Sequence, residues 1–410
     1  MSIRFKEDFC MSFVQTIKDK AERLYAGPRF NTAAFMLIAV MVVIAYSNTF
    51  TATFHFDDTP SISDNPTIKH VTMDNITQLL NGVRPVVYLS LMLNYALNGL
   101  NVIGYHIFNI SVHIINSIFV YLLILWTLEM PVLTAAYHAK AKRMALFSAL
   151  LFAVHPIQTE SVTYIITRTE LLATCFYLAT FLLFIKGAET KKFGYTIGAF
   201  FTAVFAMGSK EWAVTLPALL LVYDFLFLSE GKLKPILSRW LTYVMITIPW
   251  PIALRHLSLF SSTSSSGIGF NVITTSGITA QTYVLTSFNV IWTYIRLLIL
   301  PINQNLDYDY PIAKTLFEFP TMVSFIGHLV VVGGAFWLYK KKGWLLIPFG
   351  VAWFYIGLSP VQSIVPIIDV IFEHRAYMPS IGFFIVFVAA YEQIFDWWDR
   401  SRLPVGNQET

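Results

Sequence analysis

Charge is scarce in this sequence. Aspartate, glutamate, lysine and arginine make up 13% of its 410 residues, about half the roughly 25% of a soluble domain. That is too little charge to cover a water-exposed surface, so a soluble globular chain is excluded. Cysteine is almost absent. Cys10 precedes the first apolar run and Cys175 lies inside a later one, which excludes a disulfide framework and a cysteine metal site. Net charge is only +4, and no basic stripe offers a nucleic-acid surface. The first apolar run lacks a small-residue cleavage site and reads as an uncleaved anchor.

Apolar residues are what the chain has in quantity, at 56%. No charged side chain occurs between Arg29 and Asp57, and "TAAFMLIAVMVVIAYSNTF" lies in that gap; roughly 20 apolar helical residues cross a bilayer core. Comparable runs recur near 104–127, 145–155, 165–186, 195–208, 212–228, 240–257, 281–300, 321–339, 343–358 and 377–395. The expected fold is an all-α polytopic membrane protein with about ten to eleven transmembrane helices. Residues 1–31 mix charge with apolar positions at near-helical spacing and read as a cytoplasmic interfacial helix. Residues 32–395 form the transmembrane domain, and 396–410 a cytoplasmic tail.

Basic clusters set the orientation. Lys140, Lys142 and Arg143; Lys186, Lys191 and Lys192; Lys232, Lys234 and Arg239; and Lys340, Lys341 and Lys342 mark cytoplasmic connections under the positive-inside rule. The set is consistent if 281–300 does not cross, so that run reads as a re-entrant or interface-lying helix. The first loop, 54–103, then lies outside with interface helices, as does the large loop 258–320, whose segment 261–277 is rich in Ser, Thr and Gly and reads as mobile. The turns "HPIQTE" and "GSKE" and the segment 359–377 are also outside.

The polar clusters gather on that outer side. "FHFDDTPSISDNP" puts Asp57 and Asp58 next to each other where the chain leaves its first apolar run. Two readings stand: a solvated turn, or a general base whose pKa is raised beside a low-dielectric surface. Arg84 precedes Pro85 at the start of a short amphipathic helix and is either a phosphate ligand or a snorkelling side chain. His106, Asn109, His113 and Asn116 form one polar stripe; interhelical hydrogen bonding suits the asparagines, and His106 lies close enough to the outer end to face a site. His155, Glu160 and Arg168 flank a Pro-broken turn, where charge is costly enough to suggest function; an Arg168–Glu ion pair joining two helices is the bland alternative. Lys210 and Glu211 sit at a tight outer turn. Glu373, His374 and Arg375 precede the last run, and the basic pair suits an anionic headgroup or phosphate. Asp224, near an inner helix end, reads as structural. No spacing indicates a metal site or another cofactor.

The stretches "FHFDDTPSISDNPTIK", "RPVVYLSLMLNYALNGLNVIGYHIFNISVHIINSIFVYLL", "ALLFAVHPIQTESVTYIITRTELLA", "SKEWAVTLPALLLVYDFLF" and "EHRAYMPSIGF", in this order, resemble the membrane half of the transmembrane and tetratricopeptide-repeat (TMTC) O-mannosyltransferases and their bacterial relatives. The resemblance implies a GT-C-like fold and an inverting transfer of a sugar, mannose in those enzymes, from a polyprenyl-phosphate carrier to a protein Ser/Thr hydroxyl. It implies that the acidic pair Asp57 and Asp58 is catalytic, with a lean to Asp58 as the base. It makes Arg84, His155, Glu160, Arg168, Lys210, Glu211, Glu373, His374 and Arg375 candidates for carrier or substrate binding, on the periplasmic or lumenal face, and His106 joins them from its position on the polar stripe. The bacterial inner membrane is preferred to the endoplasmic reticulum. Two departures stand out: no tetratricopeptide repeats follow the last run, and His374 beside Arg375 differs from the animal members. The first makes a lipid or glycan acceptor a rival, and a transporter or flippase of an anionic lipid or solute is the alternative of another class.

Overall fold

The computed structural model describes residues 27, 29–251, 278–367 and 369–402. The stretch expected to form an N-terminal interfacial helix, apart from its last few residues, the Ser/Thr/Gly-rich segment 261–277 and the last residues of the tail fall outside the described residues. Among the described residues the fold is helical throughout, without a β-strand, so the expected polytopic all-α membrane protein is what is found. The main helices are α1 (Phe30–Ala45), α2 (Met73–Asn81), α3 (Pro85–Asn98), α4 (Val102–Leu128), α5 (Ala141–Val154), α6 (Arg168–Thr190), α7 (Phe193–Met207), α8 (Leu216–Tyr223), α9 (Trp240–Thr247), α10 (Ala280–Ile299), α11 (Phe319–Trp337), α12 (Leu346–Leu358) and α13 (Ser380–Arg402). Counting continuous helical turns at their ends, six segments among the described residues are long and apolar enough to cross a membrane. They contain α4, α6, α8, α10, α11 and α13. Three shorter apolar helices, α1, α7 and α12, join them.

The bundle has two chemically distinct ends. Lys140 pairs with Asp396, and Arg143 bonds Glu392 at 2.7 and 2.8 Å, so the start of α5 and the end of α13 share a basic end. The ammonium of Lys186 lies 4.2 Å from the Trp126 ring, bringing the ends of α6 and α4 to the same place. His155, which closes α5, and Phe372, which precedes α13, mark the opposite end. The helix ending at His155 stops for a local reason: Pro156 pushes the preceding residue to extended backbone, and His155 has ψ 132°.

The polar stripe of α4 stitches this opposite end together. His106 Nε2 bonds the Ala52 carbonyl at 2.9 Å, Asn109 Nδ2 bonds that of Ile165 at 3.3 Å, His113 Nε2 that of Ala153 at 2.9 Å, and Asn116 Nδ2 that of Leu171 at 2.9 Å. Each ties α4 to a carbonyl of another segment. Two of these carbonyls, of Ala52 and Ile165, lie in irregular turns, where a buried acceptor needs a partner from outside its own helix. Interhelical glue is therefore what the whole stripe supplies, His106 included. At α12–α13 the backbones touch: a Cβ on Gly350 would stand 2.5 Å from the Gly382 carbonyl oxygen, the close approach that small residues permit.

The helix α10 departs from the bundle direction. Near its start the Tyr283 hydroxyl donates to the Val361 carbonyl at 2.5 Å, and Thr286 Oγ1 accepts the Ala313 amide at 3.0 Å. Near its finish the Tyr294 hydroxyl donates to the Phe372 carbonyl at 2.9 Å, and the Leu298 carbonyl meets His155 Nε2 at 3.1 Å. Val361 follows α12 and Phe372 precedes α13, so both ends of α10 bond segments at one end of the bundle. Its length would let it cross; its partners lay it across that end.

Candidate active site

The loop after α1 folds against the turns between α5 and α6. Phe56 has φ 45°, a left-handed conformation uncommon for a residue with a Cβ. The chain reverses there, and the two aspartates that follow have opposite fates. Asp58 is 1% exposed. Its Oδ1 accepts the Ile166 amide at 2.8 Å and its Oδ2 the His55 amide at 3.2 Å. Burial pushes its carboxyl up to about 6, although these amides and the charge of His55 oppose that shift. Asp57 is exposed. Its amide donates to the Tyr164 hydroxyl at 2.8 Å, and among the described residues its carboxylate has no hydrogen-bond partner.

A chain of acid–base pairs runs beneath this loop. Arg84 has φ 52° and ψ 55°, which turns the chain into α3 and presents the side chain to Glu211. The pair is bidentate, Nε to Oε1 at 3.0 Å and Nη2 to Oε2 at 3.1 Å, the geometry the guanidinium fork favours. Lys210 donates to Glu170 Oε1 at 2.5 Å, and the Trp212 indole to Glu170 Oε2 at 2.6 Å. Burial lowers the Lys210 ammonium, and Glu170 works against that. Glu160 Oε1 meets His374 Nδ1 at 2.5 Å, and its Oε2 accepts the His374 amide at 2.9 Å. Burial raises Glu160 to about 7 and carries the His374 imidazole well below its ordinary value.

Arg375 stands apart from these pairs. Its Nη1 is buried without a hydrogen-bond partner, and among the described residues no carboxylate forms an ion pair with it. Its guanidinium carbon lies 5.2 Å from the centre of the Phe372 ring. The Tyr283 hydroxyl is within hydrogen-bonding reach of the guanidinium, whose charge is felt by Tyr294 and Glu160, so α10 walls this position. A half-buried guanidinium without an ion-pair partner among the described residues is ready to take an anion.

The remaining candidates have partners of their own, although His106 Nδ1 is buried without one. Arg168 is fully buried, with Nε on Asn109 Oδ1 at 2.8 Å, Nη2 on Asn94 Oδ1 at 2.7 Å and the Phe108 ring 4.1 Å away. No glutamate pairs with it among the described residues; the nearby Glu170 serves Lys210. Glu373 accepts the Tyr308 hydroxyl and Gln304 Nε2, both at 2.5 Å, and the Asn305 amide at 2.8 Å, and so anchors the loop after α10. His155 accepts the Ile157 amide at Nδ1, 3.2 Å, and donates from Nε2 to Leu298. It is a neutral hinge pin, with its pKa lowered by burial. The structure thus brings Arg84, Glu211, Lys210, Glu160, His374 and Arg375 together near the Asp57 loop. It gives Arg168, His106, His155 and Glu373 partners of their own. Glu170, Tyr164, Trp212 and Phe372 join the site without having been singled out for it. Among the described residues no group of three or more His, Cys, Asp or Glu side chains is placed to hold a metal ion.

Three relatives give this geometry a context. Protein O-mannosyl-transferase TMTC3 of Mus musculus is 31% identical over 219 residues, which cover 49% of this chain and 22% of the relative. Protein O-mannosyl-transferase TMTC4 of Homo sapiens is 27% identical over 233 residues, 50% of this chain and 31% of the relative. Protein O-mannosyl-transferase F38B6.6 of Caenorhabditis elegans is 23% identical over 388 residues, 88% of this chain and 51% of the relative. The chain spans less than a third of the first two relatives and about half of the third. No family model matches, and no solved structure matches. The resemblance carried by the motifs is thus a sequence similarity to the TMTC protein O-mannosyl-transferases, extending over about half of the chain for the mouse and human proteins and most of it for the nematode one.

Proposed function

We propose that the protein is an integral-membrane glycosyltransferase of GT-C type. It moves a sugar, mannose by analogy with the relatives, from a polyprenyl-phosphate carrier to a protein Ser/Thr hydroxyl. The observation that carries this reading is the unpaired Arg375 guanidinium, with Nη1 buried and unsatisfied, at the same end of the bundle as the unpaired carboxylate of Asp57. Arg84 and Lys210 are each neutralised by a glutamate. Arg375 is therefore the cation of this network left to face a phosphate.

The chemistry follows from these two groups. Asp57 takes the proton of the acceptor hydroxyl, a weak nucleophile. The oxygen attacks the anomeric carbon, and the bond to the carrier phosphate breaks with its electron pair on the phosphate. Arg375 stabilises the charge that develops there. One displacement inverts the anomeric centre. Asp58, enclosed by two amides, holds the loop so that Asp57 projects; the base is Asp57 and not its neighbour. The basic end faces the cytoplasm, and the site and α10 lie on the periplasmic or lumenal face, with α10 along the interface. A transporter would hold ionisable groups on broken helices at mid-membrane, whereas the unpaired groups here lie in loops.

The test is transfer in liposomes containing the purified chain, a labelled polyprenyl-phosphate mannose and a Ser/Thr-rich acceptor peptide, with products read by mass spectrometry. Label on the peptide is expected. Label on a lipid or a glycan instead would replace the acceptor, and label that never leaves the carrier would refute the reading.

A further inference from the structure

One acid–base element beside Arg375 has no part in the transfer set out above. Both oxygens of Glu160 are committed to His374: Oε1 to the ring Nδ1 at 2.5 Å and Oε2 to the amide at 2.9 Å. The ring is fixed by a stack on Phe372, with centroids 5.1 Å apart and planes 20° from parallel. Its other nitrogen, Nε2, lies 4.0 Å from Glu170 Oε1, beyond hydrogen-bond reach, and that oxygen is already held by Lys210 at 2.5 Å. The His374 side chain keeps 12% of its surface open. An imidazole is thus clamped at one nitrogen by a buried carboxyl and unclaimed at the other, one residue from the guanidinium assigned to the phosphate.

The leaving group needs what such a pair supplies. In the carrier the phosphate is a diester with one negative charge. Once the bond to the anomeric carbon breaks it is a monoester and gains a second charge, whose conjugate acid has a pKa of about 6. Arg375 offers a single positive charge, and the two other cations of the network are already neutralised.

We propose that Glu160 and His374 form a proton relay that protonates the departing lipid phosphate. The proton on His374 Nε2 passes to a phosphate oxygen, and Nδ1 takes the proton held by Glu160. The electron pair of the broken bond stays on the phosphate, Glu160 ends as a carboxylate, and His374 ends neutral in its other tautomer. The acceptor's proton rests on Asp57, which returns it to solvent, and Glu160 regains one from solvent through His374. His374 is the catalytic residue of the pair, since it touches the phosphate, and Glu160 acts through it.

Burial prepares both groups. Glu160, raised to about 7, keeps its proton near neutrality, and His374, held well below its ordinary value, passes a proton without retaining a charge. The groups that face the pair are Lys210, Arg375 and Arg84, which favour its deprotonated form, Glu170, which favours the protonated imidazole, the Glu373 amide, and the Tyr164 and Tyr294 hydroxyls. This inference rests on the proposed function and goes beyond it in assigning an acid to the leaving group.

The experiment is the transfer rate at saturating labelled donor, measured from about pH 5.5 to 9 with the full chain in liposomes. The wild-type rate should fall above about pH 7 in a single titration. Glu160→Gln should lower the rate at neutral pH about tenfold to a hundredfold, at the modest end of acid–base contributions because phosphate leaves readily, and should abolish the alkaline fall. His374→Gln should do the same while donor affinity holds, and it carries the test if Glu160→Gln does not insert. An unchanged alkaline fall in either variant overturns the relay. Wild-type protein that transfers no sugar at any pH refutes the underlying reading, and the relay with it. That outcome is distinct from an active enzyme whose variants keep the wild-type profile.

Discussion

At the basic end of the bundle Asp224 is fully buried, and its oxygens accept from Ser229 at 2.6 Å, Arg239 at 2.6 Å and Tyr243 at 2.9 Å. Glu392 is nearly as enclosed, with Arg143 on both oxygens. At the opposite end, in the same fold and with the same residue types, the Asp57 carboxylate has no hydrogen-bond partner among the described residues and Arg375 keeps a buried nitrogen unsatisfied. Saturated polar groups hold helices together; unsatisfied groups cost stability and persist where they have something to do. The difference between the ends lies in satisfaction, not in charge, since both are rich in ion pairs.

That contrast breaks first, if it is wrong, at the two neighbouring aspartates. Asp57→Asn should insert normally and lose about a thousandfold or more of the transfer rate, the upper part of the range for a general base. Asp58→Asn keeps an acceptor for one of two amides and should lose far less rate, with a lower melting temperature. Near-wild-type rates in Asp57→Asn, measured on the same liposomes, would make Asp58 or another group the base.

Arg375 comes next. Arg375→Lys keeps the charge and loses the planar fork, so donor turnover should drop about tenfold to a hundredfold. Lys342, at the basic end, should tolerate replacement by Gln without a change in turnover. Equal effects at the two positions would remove the distinction between the ends.

The helical membrane fold was legible in the sequence, because repeated apolar runs of helix-spanning length leave few other structures. Charge asymmetry gave a reading of the loops and of 281–300 as non-crossing, while by length and composition Ala280–Ile299 is able to cross. Partner choice was not legible. Asp57 and Asp58 are adjacent, and only the reversal at Phe56 sends one outward and the other against the Ile166 amide. Glu170 lies two residues from Arg168, yet it bonds Lys210 and Trp212 from another helix pair. Glu373 reads like its neighbours in "EHRAY", but the loop carrying Gln304, Asn305 and Tyr308 consumes it. Pairings of this kind span from about 40 to more than 200 residues of chain and are decided by packing, which no local pattern encodes.

At the saturated end, loss should register as stability. Asp224→Ala strands the Arg239 guanidinium and should cost about 3 kcal/mol or more, seen as a lower melting temperature in detergent. Turnover of the folded fraction should stay constant. A variant with native melting and reduced turnover would place Asp224 in the chemistry and undo the division between the ends.

The smallest effect is a pH dependence of stability set by the site end. Glu160 titrates at about 7 in the folded protein against 4.5 as a free side chain, and Asp58 at about 6 against 3.8. Between those values the folded state holds more protons than the unfolded one, so stability falls as pH rises. The stabilisation is full below about pH 4 and is lost by about pH 7. The melting temperature of the wild type, corrected for other carboxylates with a Glu160→Gln control, should therefore decline across that window, and the control should decline less. A wild-type curve that rises through the same window would mean that Glu160 is ionised in the folded protein and holds no proton for His374 to pass on.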